Sequence, residues 1–329
     1  MTGHRLHLSG VPIGAAQTPA DIDLAYATHG ELAPDGRNCV VLPTYYTGTH
    51  DSYLPWIGPG QVFDTERWYV VVPDMIGNGL STIRHPGTGE PWDPRTDPVV
   101  RVRDNVSVQR SLLERLGIRH VALVAGWSMG GLHAYQWGVS YPELVDAILP
   151  VCASSRCWPM NEMFLAGLAP YLEHALDHPE ASDFALAGFG RAYAGWAYSA
   201  AYFRDELWRG DGYSSLGHLR ESWATDHLTW DPADLLMMLR TWEYADPAGP
   251  NGSWSQALGT IAARAILMPS TSDMYFTVAE NEREAAQLRS CELRPIVSDH
   301  GHIAGRPGHL PDVTEQIARA VRDLLSGRS

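Results

Sequence analysis

With 329 residues, 45% of them hydrophobic, the chain is long enough to bury a sizeable core as one large or two smaller domains. Its formal net charge of −14 is spread along the sequence and argues against nucleic acid as a partner. All 24 basic residues are arginine, which excludes lysine Schiff-base chemistry and a lysine-anchored pyridoxal cofactor.

Residues 1–10 lack the apolar core of a signal peptide. No stretch approaches 18 consecutive apolar residues, so no membrane span is expected. Cys39, Cys152, Cys157 and Cys291 show no Cys-x-x-Cys spacing. Free thiols in a reducing cytosol, and hence a cytoplasmic protein, are the expectation. Apolar runs at 39–42 and 68–72 read as buried strands. The glycine-rich segment 74–81 lacks the Gly-Lys-Ser/Thr ending of a phosphate loop and reads as a scaffold turn. Segment 84–98, rich in Pro, Gly and Asp, reads as a surface loop. A helix is expected over 105–116 with Asp104 as its N-cap. A strand at 121–124, a helix at 131–140 and a strand at 147–151 follow. This alternation predicts a parallel sheet covered by helices on both faces.

The texture then changes. Residues 153–260 hold aromatics and helix formers but few buried-strand runs, with helices expected at 191–208 and 232–244. Strands resume at 263–268 and 293–297, and a last helix spans 312–325. The simplest organisation is one α/β domain (1–152 and 263–329) interrupted by a helical lid (153–262), because a connection that long without strands is usually a functional insert.

The chemistry is carried by residues 125–131, Ala-Gly-Trp-Ser-Met-Gly-Gly. A Gly-x-Ser-x-Gly between a strand and a helix marks a nucleophile elbow. Ser128 must sit on a strained turn for its hydroxyl to project above the sheet. Gly126 and Gly130 leave room where side chains would collide. The N–H of Met129, at the helix start, points where an oxyanion would form. A serine nucleophile needs a base and an orienting acid, which in this arrangement follow in the order acid, then His. Asp273 follows a strand and is the candidate acid. His302 is the candidate base, with His300 as its competitor. A metal site built from Asp299, His300 and His302 is set aside, since the elbow accounts for His302 without one; no metal is expected. The second oxyanion donor is expected in the loop after the first buried strand, at the N–H of Tyr46. Neighbouring Tyr45 and elbow residue Trp127 are expected substrate contacts.

Together these residues resemble the homoserine O-acetyltransferase-like branch of the α/β-hydrolase superfamily. The resemblance covers roughly residues 35–326. It rests on Thr47-Gly48, the segment 77–81, Ser128-Met-Gly-Gly131 with Trp137 and Tyr141-Pro142, Ser272-Asp273 with Phe276, and Gly301-His302. It implies an α/β-hydrolase fold with a mostly parallel central sheet and an inserted helical lid. It also implies Ser128 as nucleophile, Asp273 as orienting acid and His302 as base. In that family a lid Arg followed seven residues later by Tyr helps hold the substrate amino acid. Arg191 and Tyr198 have that spacing here, although Tyr193, Trp196, Tyr198 and Tyr202 also read as an aromatic stripe packing on itself.

One departure matters. The acetyltransferases usually carry Asp directly after the catalytic His, where it binds the substrate ammonium; this chain has Ile303. An apolar residue cannot pair that cation. The expected function is therefore hydrolysis of a small ester, amide or lactone through an acyl-enzyme. The alternative is acyl transfer to a small alcohol other than homoserine, with an acyl-CoA as co-substrate. A non-catalytic ligand-binding module ranks third, because all three triad members are present. No cofactor is expected. The expected partner is a small-molecule substrate, with neither nucleic acid nor membrane, and a homodimer is compatible with the chain.

Overall fold

A computed structural model describes residues 3–249 and 252–326. Residues 1–2, 250–251 and 327–329, which the expected domain bounds include, lie outside the described residues. The chain opens on a long antiparallel hairpin, β1 (His4–Ile13) and β2 (Thr18–His29). Its alternating burial keeps Ala20, Ile22 and Leu24 on the core side. β3 (Cys39–Val41) and β4 (Tyr69–Pro73) are buried apolar strands, and β5 (Thr82–Arg84) pairs back on β2. The core continues through helix α1 (Val102–Arg115), β6 (Leu123–Trp127), α2 (Met129–Ser140) and β7 (Ala147–Val151).

Between β7 and β8 the chain is helical: α3 (Pro159–Asp177), α4 (Ser182–Ala197), α5 (Ala200–Arg204), α6 (Leu216–His227), α7 (Pro232–Glu243) and α8 (Trp254–Thr260). The core resumes with β8 (Arg264–Leu267), α9 (Val278–Ala285), β9 (Cys291–Leu293) and α10 (Pro311–Leu325). The strands form one sheet in the order β1-β2-β4-β3-β6-β7-β8-β9, parallel from β4 onward, with β5 beside β2. The central parallel strands β3, β4, β6, β7 and β8 are almost wholly buried on both faces, as their apolar runs require, whereas the edge strand β9 is partly exposed. No helix among the described residues is long and apolar enough to cross a membrane.

Four local expectations differ from what is observed. Helix α1 begins a turn before residue 105, and Asp104 lies inside it. Its carboxylate accepts the N–H groups of Arg101 (2.8 Å) and Gly14 (3.0 Å), tying the helix start to the hairpin. The strand expected at 293–297 ends at Leu293, and Val297 beyond it is exposed. The helix expected over 191–208 breaks at Tyr198–Ser199, where the Ser199 hydroxyl caps α5 by accepting Tyr202 N–H (3.0 Å). The hairpin β1–β2 had no counterpart in the expected elements.

The root of the helical insertion is fastened to the core by one buried carboxylate. Glu284 on α9 accepts Ser155 N–H (2.8 Å), Ser155 Oγ–H (2.9 Å) and Trp158 Nε1–H (2.9 Å) on Oε1, and Tyr135 O–H (2.8 Å) on Oε2. Burial pushes this carboxyl up to about 7, against the pull of those hydrogen bonds. A folded value above the unfolded one means stability is full below the ordinary Glu range and is lost as pH rises towards 7. Glu284→Gln should be mild, costing less than about 1 kcal/mol, because the Tyr135 hydroxyl can reverse its hydrogen bond. It should also flatten the pH slope. Glu284→Ala strands the donors and should cost about 3 kcal/mol or more. Urea denaturation from pH 5 to 8 reads both; equal loss in the two variants would contradict this role.

Candidate active site

The sheet topology brings three loops together at the carboxyl ends of its strands. Ser128 sits between β6 and α2 with φ 56° and ψ −127°, a conformation that costs a non-glycine residue energy and is tolerated where surroundings enforce it. The enforcement is steric. A Cβ on Gly126 would lie 2.4 Å from the Gly130 backbone, and one on Gly130 would lie 2.5 Å from the Pro43 carbonyl oxygen. The Tyr53 hydroxyl locks the same junction, donating to Pro43 O (3.1 Å) and accepting Trp127 N–H (3.1 Å).

Asp273 follows β8. Its Oδ1 accepts the N–H groups of Tyr275 (3.0 Å) and Phe276 (3.1 Å), and its Oδ2 lies 2.7 Å from His302 Nδ1. That bond leaves Nε2 as the free ring nitrogen. His302 is held flat against Trp127, with ring centroids 4.8 Å apart and an interplanar angle of 25°. The Trp127 indole N–H donates to the His302 carbonyl (3.2 Å). Gly301, at φ 67°, allows this approach: a Cβ there would lie 2.7 Å from Ser199 N. Among the described residues no hydrogen bond joins the Ser128 hydroxyl to His302, a contact that commonly tightens only with substrate bound.

Ser128 and His302 line one cavity of about 850 Å³. Tyr45, Tyr46, Trp127, Tyr198 and Ile303 line it too. Met129 is the first residue of α2, so its N–H has no acceptor within the helix. Tyr46 lies in a tight turn closed by Gly48 N–H to Tyr45 O (2.8 Å), with Thr47 at φ 59°. Its side chain is anchored to α7 of the helical insertion by an O–H bond to Leu235 O (3.2 Å).

Two expected residues lie elsewhere. Arg191 does not reach the cavity: its guanidinium pairs with Glu221 at 2.8 Å on the outer side of α4 and α6. The buried stripe of α4 runs through Gly190, Tyr193, Ala194 and Ala197, and position 191 is a quarter-turn off it. His300 faces Asp211 at 4.0 Å, away from the Asp273–His302 pair. Segment 74–81 is more than a scaffold turn, since Asn78, Gly79 and Leu80 contribute to the cavity wall. Sequence reasoning did not single out Tyr275, Trp223, Arg306 and the carboxylates Asp226, Asp231 and Asp234, which also line the cavity. Burial beside Asp231 pushes the Asp234 carboxyl up to about 6. Burial likewise holds the Tyr193 and Tyr275 hydroxyls protonated, above the usual tyrosine range.

An elbow serine, a carboxylate–imidazole pair and a roofed cavity at the carboxyl ends of a parallel sheet define a class of α/β enzymes. The alpha/beta hydrolase fold family model matches residues 40–305, and the chain belongs to that family. A probable esterase of Corynebacterium glutamicum is 30% identical over 86% of this chain and 84% of its own. The ethyl acetate hydrolase of Pseudomonas veronii is 29% identical, covering 98% of this chain and 95% of its own. Homoserine O-acetyltransferases match as well, that of Thermobifida fusca at 28% identity over 93% of this chain and 88% of its own. Among solved structures, the acetyl esterase MekB superposes with a TM-score of 0.92 at 27% identity, covering 99% of this chain and 97% of its own. The chain is thus an α/β-hydrolase-fold enzyme related both to esterases and to homoserine O-acetyltransferases.

Proposed function

We propose that this enzyme hydrolyses small carboxylic esters through an acyl-enzyme on Ser128, chemistry that extends to a small amide or lactone. His302 Nε2 takes the Ser128 proton as Oγ attacks the ester carbonyl. Asp273 fixes the imidazole tautomer and stabilises the imidazolium. The N–H groups of Tyr46 and Met129 hold the oxyanion, each such donor contributing roughly 10²–10³ in rate. Collapse breaks the C–O bond, and His302 returns the proton to the departing alcohol. Water, deprotonated by His302, then attacks the acyl carbon; the bond from that carbon to Ser128 Oγ breaks, His302 returns the proton to Oγ, and the acid leaves.

The observation that carries hydrolysis over transfer to an amino acid is Ile303, buried and on the cavity wall directly after His302. It offers an acceptor's ammonium no partner beside the base. The cavity's other charged groups add to this: three carboxylates (Asp226, Asp231, Asp234) against Arg306 make a poor seat for the phosphates of a coenzyme A thioester. The two named ester-cleaving relatives agree with this reading. The acetyltransferase relatives favour the other arm, transfer to a small alcohol, and so define the test.

Wild-type enzyme should release acetate from small acetyl esters and form no O-acetylhomoserine or O-acetylserine from acetyl-CoA. Pairing an ammonium in a partly desolvated site is worth about 1.5–3 kcal/mol, or about 10–150-fold in affinity. Mass spectrometry of both reactions decides. Efficient O-acetylhomoserine formation would overturn the proposal.

A further inference from the structure

Outside the proposed catalytic group, one cluster of metal-ligating side chains among the described residues bridges the helical insertion and the loop that carries His302. Asp211 lies in the lid between α5 and α6. His300 precedes the turn bearing His302, and His309 follows it. One ligand atom from each of the three lies within 4.8 Å of the others. His300 Nε2 is 4.0 Å from Asp211 Oδ1, and His309 Nε2 is 3.6 Å from Asp211 Oδ2. His309 Nε2 is enclosed and has no hydrogen-bond partner. A buried ring nitrogen without a partner is costly, so its position needs a reason. The three side chains are only 12–20% exposed.

We propose that Asp211, His300 and His309 bind a divalent transition-metal ion, zinc by its ligand chemistry, which clamps the lid to the His302 loop. Two imidazoles and one carboxylate are a common zinc donor set, with a fourth position open to water. Zinc–ligand bonds of about 2.0–2.2 Å would draw the three atoms together by roughly an ångström, within the reach of side-chain torsions. The carboxylate is already oriented for this. The Tyr202 hydroxyl donates to Asp211 Oδ2 at 2.6 Å, the outer contact that typically fixes a ligating carboxylate and leaves the other oxygen for the metal. Tyr202 is itself stacked on the cavity residue Tyr198, with centroids 4.1 Å apart. The clamp would thus join three places already in contact: the Tyr198 wall, the lid segment before α6, and the backbone on which His302 sits. His302 itself is turned to Asp273, so the metal holds this loop and takes no part in the ester chemistry.

The test uses the whole protein, stripped with EDTA and titrated with zinc chloride. Calorimetry and elemental analysis after gel filtration should show one zinc per chain with a Kd on the order of 1 µM or tighter. At about 100 times that concentration, zinc should raise Tm by roughly 3–5 °C. Amide exchange in the lid segment 198–211 should slow in parallel. Asp211→Asn, His300→Gln and His309→Gln should each weaken zinc at least about 100-fold, and Tyr202→Phe about 10-fold. Near-UV circular dichroism shows which variants are folded, and any one folded ligand variant suffices. Absence of a micromolar site in the wild type overturns the clamp. So does a site that survives in a folded ligand variant, which would place the zinc on other surface histidines.

Discussion

Replacing Ser128 by alanine should abolish covalent labelling by a serine-reactive probe and lower ester turnover by roughly 10⁴–10⁶. The expectation rests on position more than on residue type. Ser128 is held at φ 56° between glycines at which a Cβ would meet backbone atoms 2.4–2.5 Å away. The turn presents one hydroxyl to the same cavity that His302 lines. The variant should fold normally, since an alanine Cβ occupies the same space and the backbone bond from Ser128 N–H to Val151 O (2.9 Å) is unaffected. What remains after the change is oxyanion stabilisation and substrate binding, which elsewhere leave a residual rate well above that in water. Turnover above a tenth of wild type, with intact circular dichroism, would show that Ser128 is not the nucleophile.

The sheet and the three site loops were legible because each rests on a local signal. Buried parallel strands read as unbroken Val- and Ile-rich runs, and the elbow needs glycines that stand out in sequence. The acid and the base follow strands, so their loops could be placed without knowing the fold's details. The hairpin β1–β2 was missed for a different reason. Its apolar residues alternate with polar ones, Ala20, Ile22 and Leu24 facing inward, and that period-2 pattern carries less apolar weight than a buried run. The roof of the cavity was not legible in the same way. Whether an aromatic in the helical insertion packs or lines a cavity depends on a break such as that at Ser199, whose hydroxyl also donates to Asp299 O, 100 residues away in sequence. Arg191 shows the limit of spacing arguments. A seven-residue interval places two residues on one face only within a continuous helix, and α4 ends at Ala197, before Tyr198.

His302→Ala should be about as damaging as Ser128→Ala, because nucleophile and base act as a unit and their losses do not add. The double variant should therefore be little worse than either single one. His300→Ala, assayed without added metal, should keep turnover within about tenfold of wild type. The two histidines are two residues apart, and their surroundings separate them. His302 has Asp273 2.7 Å from Nδ1, Trp127 stacked on its face and Tyr275 with its ring centroid 4.4 Å away. Those contacts fix both tautomer and ring plane, which a general base needs before its pKa matters. His300 has a long contact from its ring to Ser298 Oγ (3.4 Å), edge contacts with the Tyr202 and His309 rings, and faces Asp211, an acid between α5 and α6 that is not among the cavity-lining residues. Imidazole added to the assay is a further probe. The cavity left by His302→Ala lies beside Asp273, whose Oδ2 would orient a bound imidazole, so partial recovery is expected there and none with Ser128→Ala. Steady-state turnover of the three variants, with and without imidazole, gives the ranking. If His300→Ala proved the more damaging, the base would move two residues along the loop, and Asp211 would replace Asp273 as the acid that orients it.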